Sequence, residues 1–109
     1  MESALIAVPI RSLSAADLDA CLNLALDQNW SGESTKWKVL LEAGDGFGID
    51  DPLGGLAAAV VLSRTREVAV IGMLLVRRRY ARQGLGTRLM AHAYAMAANA
   101  AIYLYATDE

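Results

Sequence analysis

The 109-residue chain has little of several residue types, and each scarcity excludes a class of protein. A single cysteine, Cys21, permits no internal disulfide, which fits the reducing cytoplasm, where we expect this protein to be located. A single histidine, His92, and the lack of clustered Cys, His and Asp predict neither a metal site nor a Ser-His-Asp triad. No uncharged apolar run is long enough to cross a membrane and no basic lead opens the chain, so we expect neither a membrane span nor a secretory signal.

The composition is that of one folded domain spanning residues 1–109. With 55% hydrophobic and 20% charged residues, the chain is too apolar to be disordered. Its net charge of −2 is unevenly distributed: residues 64–88 contain seven arginines and one glutamate, whereas residues 1–63 contain three basic and nine acidic residues. Such a basic segment indicates either a binding site for an anion or a solvated turn flanked by charges.

The hydrophobic periodicity predicts an α/β domain with a mixed sheet and the element order β-α-α-β-β-β-α-β. The predicted strands are residues 4–11, 47–50, 56–63, 67–76 and 102–107, and the predicted helices begin at Ser14, Ser34 and Leu85. The two long apolar strands, 56–63 and 67–76, are expected to be covered on both faces, because their apolar runs are nearly continuous.

The predicted helices carry apolar stripes that define the expected core. Ser14 and Asp17 are spaced as a weak capping box at the start of the first helix, and Cys21 on its stripe is interpreted as a core residue. The last helix covers residues 85–99, and its predicted stripe consists of Leu85, Leu89, His92 and Met96. We therefore interpret His92 as a packed or rim side chain rather than a catalytic base.

The segment 77–90, RRRYARQGLGTRLM, combines a basic loop, two glycines and the start of a helix. The first turn of a helix has unpaired N–H groups and the positive end of the helix dipole. Gly84 and Gly86 let a bulky anion reach these groups, and arginines add charge-assisted hydrogen bonds, so the segment predicts a pyrophosphate site. Two other phosphate loops are excluded, because Leu89 stands where a dinucleotide fingerprint needs glycine and no lysine follows Gly86 as in a Walker A loop.

This segment resembles the acetyl-coenzyme A motif of the GNAT acetyltransferase superfamily, Q/R-x-x-G-x-G/A after a strand with an L-x-V-like end. The matching residues are Leu74, Leu75, Val76, Tyr80, Gly84 and Gly86, whereas Ala81 stands where the motif has Gln or Arg. The resemblance implies an N-acetyltransferase that uses acetyl-coenzyme A, without a metal, to acetylate a primary amine of a small molecule or protein. It implies that the pantetheine arm contacts Leu74, Leu75 and Val76. It also implies that the pyrophosphate is surrounded by Arg82, Gln83, Gly84, Leu85, Gly86 and Thr87.

Acyl transfer to an amine requires a proton acceptor, since an alkylamine with a pKa near ~10.4 is only roughly 0.04% neutral at pH 7. By resemblance, Glu67 is the candidate catalytic base, and the alternative is an ordinary strand-end charge beside Arg66. Backbone N–H groups of Leu74–Val76 are candidates for polarising the thioester carbonyl. The remaining candidates for proton transfer are interpreted as packing residues: Tyr80, Tyr103 and Tyr105.

The amine acceptor is expected near the loop 27–34 and the second helix, and Asp27 and Glu33 of this loop either attract a cation or are ordinary solvated acids. The predicted elements resemble the first two-thirds of a GNAT domain, truncated after the fifth strand. The chain is then a fragment, a short form completed by another copy, or a half-domain that binds coenzyme A without catalysis. We expect self-association, such as a homodimer.

Two other functions are alternatives to an N-acetyltransferase. The main alternative is a catalytically inactive module that binds coenzyme A or acts in assembly. Nucleic-acid binding through Arg77-Arg78-Arg79 is disfavoured, because three adjacent arginines do not face one way and the chain is acidic overall.

Overall fold

The predicted order of elements is confirmed in the computed structural model, which describes residues 8–28, 34–64, 68–97 and 101–104. The strands are β1 (Ile10–Leu13), β2 (Asp45–Asp50), β3 (Leu56–Arg64), β4 (Val68–Val76) and β5 (Ala101–Leu104). The helices are α1 (Leu18–Asp27), α2 (Ser34–Ala43) and α3 (Leu85–Ala97), with 3-10 turns at Ala15–Asp17 and Arg78–Tyr80. The first strand is predicted at residues 4–11 but begins at Ile10, directly after Pro9, and residues 4–7 lie outside the described part.

The strands form one sheet in the order β1-β2-β3-β4-β5, and its mixed character confirms the predicted fold class. Neighbours among the first four strands are antiparallel, whereas β5 is parallel to β4. The parallel pair requires a crossover, and α3 supplies it between β4 and β5. The loop of residues 77–84 joins β4 to α3 and brings the start of α3 back beside the end of β4, which positions the candidate site.

Two apolar clusters cover the sheet, one on each face. The α3 face includes Phe47, Ile71, Leu85 and Leu89, and the face covered by α1 and α2 includes Cys21, Leu24, Trp37, Leu41, Met73 and Leu75. Residues 56–62 of β3 are buried along their whole length, which confirms the expectation of a strand covered on both faces.

The same expectation is wrong for β4, in which exposed and buried residues alternate. Val70 is 36% exposed because α2 packs closely on β2 and β3, whereas an open cavity separates α2 from this part of β4. Leu74 is 39% exposed on the opposite face, beside Gly86, which has no side chain to cover it.

Helix α1 begins with the capping box that the sequence predicts. The Ser14 hydroxyl accepts a hydrogen bond from the Ala16 N–H at 3.2 Å, and the Ser14 N–H donates to the Asp17 carboxylate at 2.9 Å. Arg11 also donates to this carboxylate, and its hydrogen bond is the main reason why the pKa of Asp17 lies below its ordinary value.

The apolar stripe of α3 is Leu85, Leu89, Ala93 and Ala97, all of which are buried. The prediction that Met96 lies on this stripe is wrong. The buried residues recur every four positions, which places Ala97 rather than Met96 against the sheet, and Met96 is 41% exposed. His92 is half-buried and packs edge-on against Phe47, with ring centroids 4.5 Å apart, so its prediction as a packed or rim residue is confirmed.

The Cys21 thiol is predicted to be unreactive in the folded protein. Its side chain is completely buried under α2, and this burial raises its pKa to about 12, so almost no thiolate forms at neutral pH. We expect the native protein to release no colour with 5,5′-dithiobis(2-nitrobenzoic acid), whereas protein in denaturant reacts with one equivalent. Rapid reaction of the native protein would place Cys21 in a mobile or exposed segment instead.

Candidate functional site

Strand β4 contains a bulge at its centre. On β3, Ala59 pairs with Leu75 of β4, and two residues further along Val61 pairs with Gly72. Between these two pairs β3 advances by two residues and β4 by three, so β4 contains one extra residue. Met73, within this segment, has a φ of +52°. A bulge of this kind interrupts the ladder and re-aims backbone groups that would otherwise pair with the neighbouring strand.

The bulge changes the face toward which successive side chains point. Ile71 belongs to the α3 cluster, whereas Met73 and Leu75 belong to the cluster under α1 and α2. Leu74 therefore lies on the α3 face, beside the start of that helix. A glycine inside a strand is a sequence signal for a bulge, so Gly72 could have predicted this feature.

Strand β4 is paired with β5 over only part of the length of β4. Residues Val68–Ile71 of β4 pair with Ala101–Leu104 of β5. Beyond this ladder, the β4 segment Gly72–Val76 has no partner on that edge among the residues that the structure describes. Within this segment the Val76 carbonyl accepts a hydrogen bond from the Gln28 amide rather than from a described strand.

The first turn of α3 forms an open hollow, as the glycines predict. The helical ladder begins with the Arg88 N–H donating to the Gly84 carbonyl at 3.0 Å, so three preceding N–H groups have no partner within the helix: Leu85, Gly86 and Thr87. Gly84 has a φ of +86°, and a Cβ placed there would meet no atom within 4 Å. Arg82 also has a positive φ, +65°, so the loop before α3 contains two residues in the left-handed region.

Most residues predicted to bind a cofactor are brought together here. Leu74 and Val76 lie against Gly86, where an added Cβ would be 3.6 Å from Val76 Cγ2 and 4.0 Å from Leu74 Cδ2. The rim of the hollow is exposed and consists of Arg82, Gln83, Gly84 and Thr87. The side chains of Leu75 and Leu85 are buried, so these two residues could contact a ligand only through their backbone groups.

A cavity of about 220 Å³ lies at the bulge on the other face of the sheet, under α2. It is lined by Lys36, Leu40, Val61, Ser63, Val70, Gly72 and Met73. The hollow at α3 and this cavity are thus on opposite faces of the sheet, with the bulge of β4 between them.

Comparison with protein families identifies a family for this chain. Residues 13–109 match the model of the acetyltransferase (GNAT) family. The chain belongs to the GNAT family. No curated protein sequence matches the chain.

Solved structures of other acetyltransferases share the fold of this GNAT domain at low sequence identity. A ribosomal-protein-alanine N-acetyltransferase from Brucella melitensis biovar Abortus 2308 is 17% identical, with a TM-score of 0.71 over 93% of this chain and 81% of that chain. A GNAT family protein from Streptococcus pneumoniae TIGR4 is 20% identical, with a TM-score of 0.77 over 94% and 77%. The ribosomal-protein-S18-alanine N-acetyltransferase from Escherichia coli is 23% identical, with a TM-score of 0.72 over 81% and 57%.

Asp51 is the buried charge that organises the loop before the hollow of this GNAT domain. Its carboxylate accepts hydrogen bonds from the Tyr80 hydroxyl at 2.7 Å, from the Leu53 N–H at 2.9 Å and from the Arg79 guanidinium. Arg77 Nε lies 3.7 Å from the same carboxylate. Burial alone would raise the pKa of Asp51, but the hydrogen bonds from Leu53, Tyr80 and Arg79 outweigh it and hold the pKa below its ordinary value.

Arg77 is also buried, at 8% exposure, and ties the end of β4 to its surroundings. Its Nε donates to the Leu56 carbonyl at 2.9 Å and its Nη2 to the Asn23 side chain at 2.8 Å. Two arginines of the basic segment, Arg77 and Arg79, therefore meet carboxylates of the chain itself. The uneven charge of the sequence is in part an internal ion-pair network.

The Asp27 carboxylate, a candidate for attracting a cationic acceptor, already has hydrogen-bond partners within the chain. It accepts hydrogen bonds from the Arg78 N–H at 2.8 Å and from the Gln28 amide at 3.1 Å. The Gln28 amide also donates to the Val76 carbonyl at 2.9 Å. These bonds fasten the end of α1 to the end of β4, which is a structural role that sequence reasoning missed.

The other proton-transfer candidates have the following positions. Tyr80 donates its hydroxyl to Asp51, so it is a packing residue as predicted. The predicted base Glu67 lies outside the described residues, as do Glu33 and Tyr105, and the side chain of Tyr103 is not described. In the described part of the chain, no group of His, Cys, Asp and Glu could hold a metal, and no helix is long and apolar enough to cross a membrane.

Proposed function

We propose that this protein is an N-acetyltransferase that transfers the acetyl group of acetyl-coenzyme A to a primary amine. One observation carries the proposal: the bulged end of β4, which pairs with no described strand on one edge, leads through the loop of residues 77–84 to the open first turn of α3. Residues 72–87 thus combine free strand backbone for an extended arm with free helix N–H groups for an anion.

The cofactor-binding roles follow from the positions of the residues. The N–H groups of Leu85, Gly86 and Thr87 face the hollow and would donate to pyrophosphate oxygens, and Arg82 and Gln83 at its rim would add further donors. The exposed edge of β4, with the apolar surface of Leu74, would hold the pantetheine arm. Every predicted cofactor residue except Leu75 then contributes from the same side of the sheet.

When bound, acetyl-coenzyme A would supply an activated thioester. The backbone N–H groups freed by the bulge would polarise the thioester carbonyl. The nitrogen of the neutral amine forms the new C–N bond, the C–S bond breaks, and the sulfur leaves with the electron pair as a thiolate. The nitrogen loses one proton to a base, for which Glu67 is our candidate, and the thiolate takes up one proton.

A non-catalytic coenzyme A-binding module is the second candidate. One observation favours it: among the described residues, the cavity beside the bulge is lined by neither a carboxylate nor a histidine. The proposed enzyme therefore depends on Glu67, and the two functions differ in whether thioester is consumed.

Two measurements on the full chain distinguish these functions. Calorimetric titration with acetyl-coenzyme A is expected to show binding at one site per chain. Thiol release in the presence of a panel of amines, with the unreactive Cys21 adding no background, is expected to show turnover that Glu67→Gln reduces by roughly 100-fold or more. Binding without thiol release would support the non-catalytic module, and the lack of binding at millimolar ligand would contradict both.

A further inference from the structure

The cavity under α2 combines apolar walls with one positive charge. Its walls are formed by Leu40, Val61, Val70 and Met73. The polar side chains among its described lining residues are those of Lys36 and Ser63. Pockets for drug-sized ligands have volumes of roughly 300–1,000 Å³. A cavity of about 220 Å³ is therefore the size for one small apolar group.

Lys36 makes no ion pair with any described residue, although it lies at the rim of this cavity. The described residues that line the cavity include no carboxylate that could hold a cation. The described surroundings of the cavity therefore favour an anionic group rather than a cationic one.

We infer that the acceptor is a small amino acid with an apolar side chain, whose carboxylate pairs with Lys36 while its side chain fills the cavity. This inference rests on the proposed function, because it assigns the amine that attacks the thioester at the bulge. The amine nitrogen gains the acetyl group and loses its proton, and coenzyme A leaves as the thiol.

The charge of Lys36 gives the carboxylate a specific role. An alkylammonium without a carboxylate brings only positive charge toward Lys36, and two like charges in a partly apolar site repel each other. A carboxylate on the acceptor removes this repulsion and orients the molecule. The remaining positive potential favours the neutral form of the acceptor amine, which is the nucleophile.

The test compares two acceptors that differ only in the carboxylate: leucine and 3-methylbutylamine. Steady-state thiol release is measured with the wild-type protein and with two charge-neutralised variants. Lys36→Gln removes the proposed contact, and Lys38→Gln is the matched control, because Lys38 is exposed on the same helix and does not line the cavity.

The wild-type protein is expected to prefer leucine over 3-methylbutylamine by about 10-fold or more in kcat/KM, which corresponds to about 1.4 kcal/mol. Lys36→Gln is expected to abolish this preference by raising the KM for leucine, with the KM for acetyl-coenzyme A unchanged, and Lys38→Gln is expected to keep it. Equal or better use of 3-methylbutylamine, or the same effect in both variants, would overturn the inference.

The failure of this inference can be told apart from failure of the proposed function. If acetyl-coenzyme A binds and other amines are acetylated, the acetyltransferase stands and the amino-acid acceptor is wrong. If acetyl-coenzyme A binds and no amine is acetylated, the acceptor assignment falls with the catalytic function, and the binding module remains. If acetyl-coenzyme A does not bind, both are refuted.

Discussion

Replacing Asp51 with alanine is expected to lower the free energy of unfolding by about 3 kcal/mol, because breaking a buried ion pair leaves the other charge without compensation. The Asp51 side chain is fully buried and Arg77 is only 10% exposed in its side chain. The variant also leaves the Tyr80 hydroxyl and the Leu53 N–H without their acceptor. Arg77 keeps its bonds to Leu56 and Asn23, which places the expected loss at the lower end of the range for such variants.

Asp50→Ala is the matched control for this experiment. Asp50 is the preceding residue, but its side chain is 51% exposed and its ion pair with Arg11 lies at the surface. Exposed pairs contribute only about 0.2–1 kcal/mol, so the control should remain close to the wild-type protein. Urea denaturation at pH 7 measures both values, and equal stability of the two variants would refute the organising role of Asp51.

The effect of Asp51→Ala should also depend on pH. Because its pKa is lower in the folded than in the unfolded protein, the Asp51 carboxylate stabilises the fold above the unfolded pKa of about 3.9 and loses this effect as the pH falls through the folded pKa. The stability difference between wild type and Asp51→Ala should therefore be constant near neutral pH and shrink in strong acid. A difference that grows on acidification would contradict the assigned direction.

Gly86→Val is expected to weaken the binding of acetyl-coenzyme A by about 100-fold, or ~2.7 kcal/mol. Gly86 is in the first turn of α3, where its N–H has no helical partner, and a branched side chain there would cover the hollow. Each charge-assisted hydrogen bond that the pyrophosphate loses is worth roughly 1.5–3 kcal/mol. Calorimetry with acetyl-coenzyme A measures the loss.

The fold should tolerate this substitution, which separates binding from stability. A Cβ at Gly86 meets Val76 and Leu74 only at ordinary van der Waals distances, and glycine is itself a poor helix former. Ala91→Val is the matched control, because Ala91 is exposed on the same helix and lies outside the hollow. Unchanged affinity in Gly86→Val would show that the pyrophosphate does not lie against this turn.

The sequence was informative where local rules act alone. Ser14 and Asp17 predicted the start of α1, and Gly84 and Gly86 predicted an open helix start, because capping and glycine conformation depend on a few adjacent residues. The parallel β4–β5 pair was predictable from the order of elements, since a crossover helix separates those strands.

Features that depend on distant residues were not predictable from the sequence. Nothing near Asp51 in the sequence marks it as a buried charge, because its partners Arg77, Arg79 and Tyr80 are 26 to 29 positions away in the chain. The exposure of Val70 likewise depends on where α2 ends over the sheet. Self-association, the cytoplasmic location and the role of Glu67 stay predictions.

The central claim is that the pyrophosphate of acetyl-coenzyme A lies against the first turn of α3. Amide ¹H–¹⁵N shifts of the labelled protein during a titration with acetyl-coenzyme A test it at the residues concerned. We predict the largest shifts at the N–H groups of residues 84–87, with a second group at residues 73–76. Shifts confined to other surfaces, with residues 84–87 unchanged at saturation, would contradict the claim.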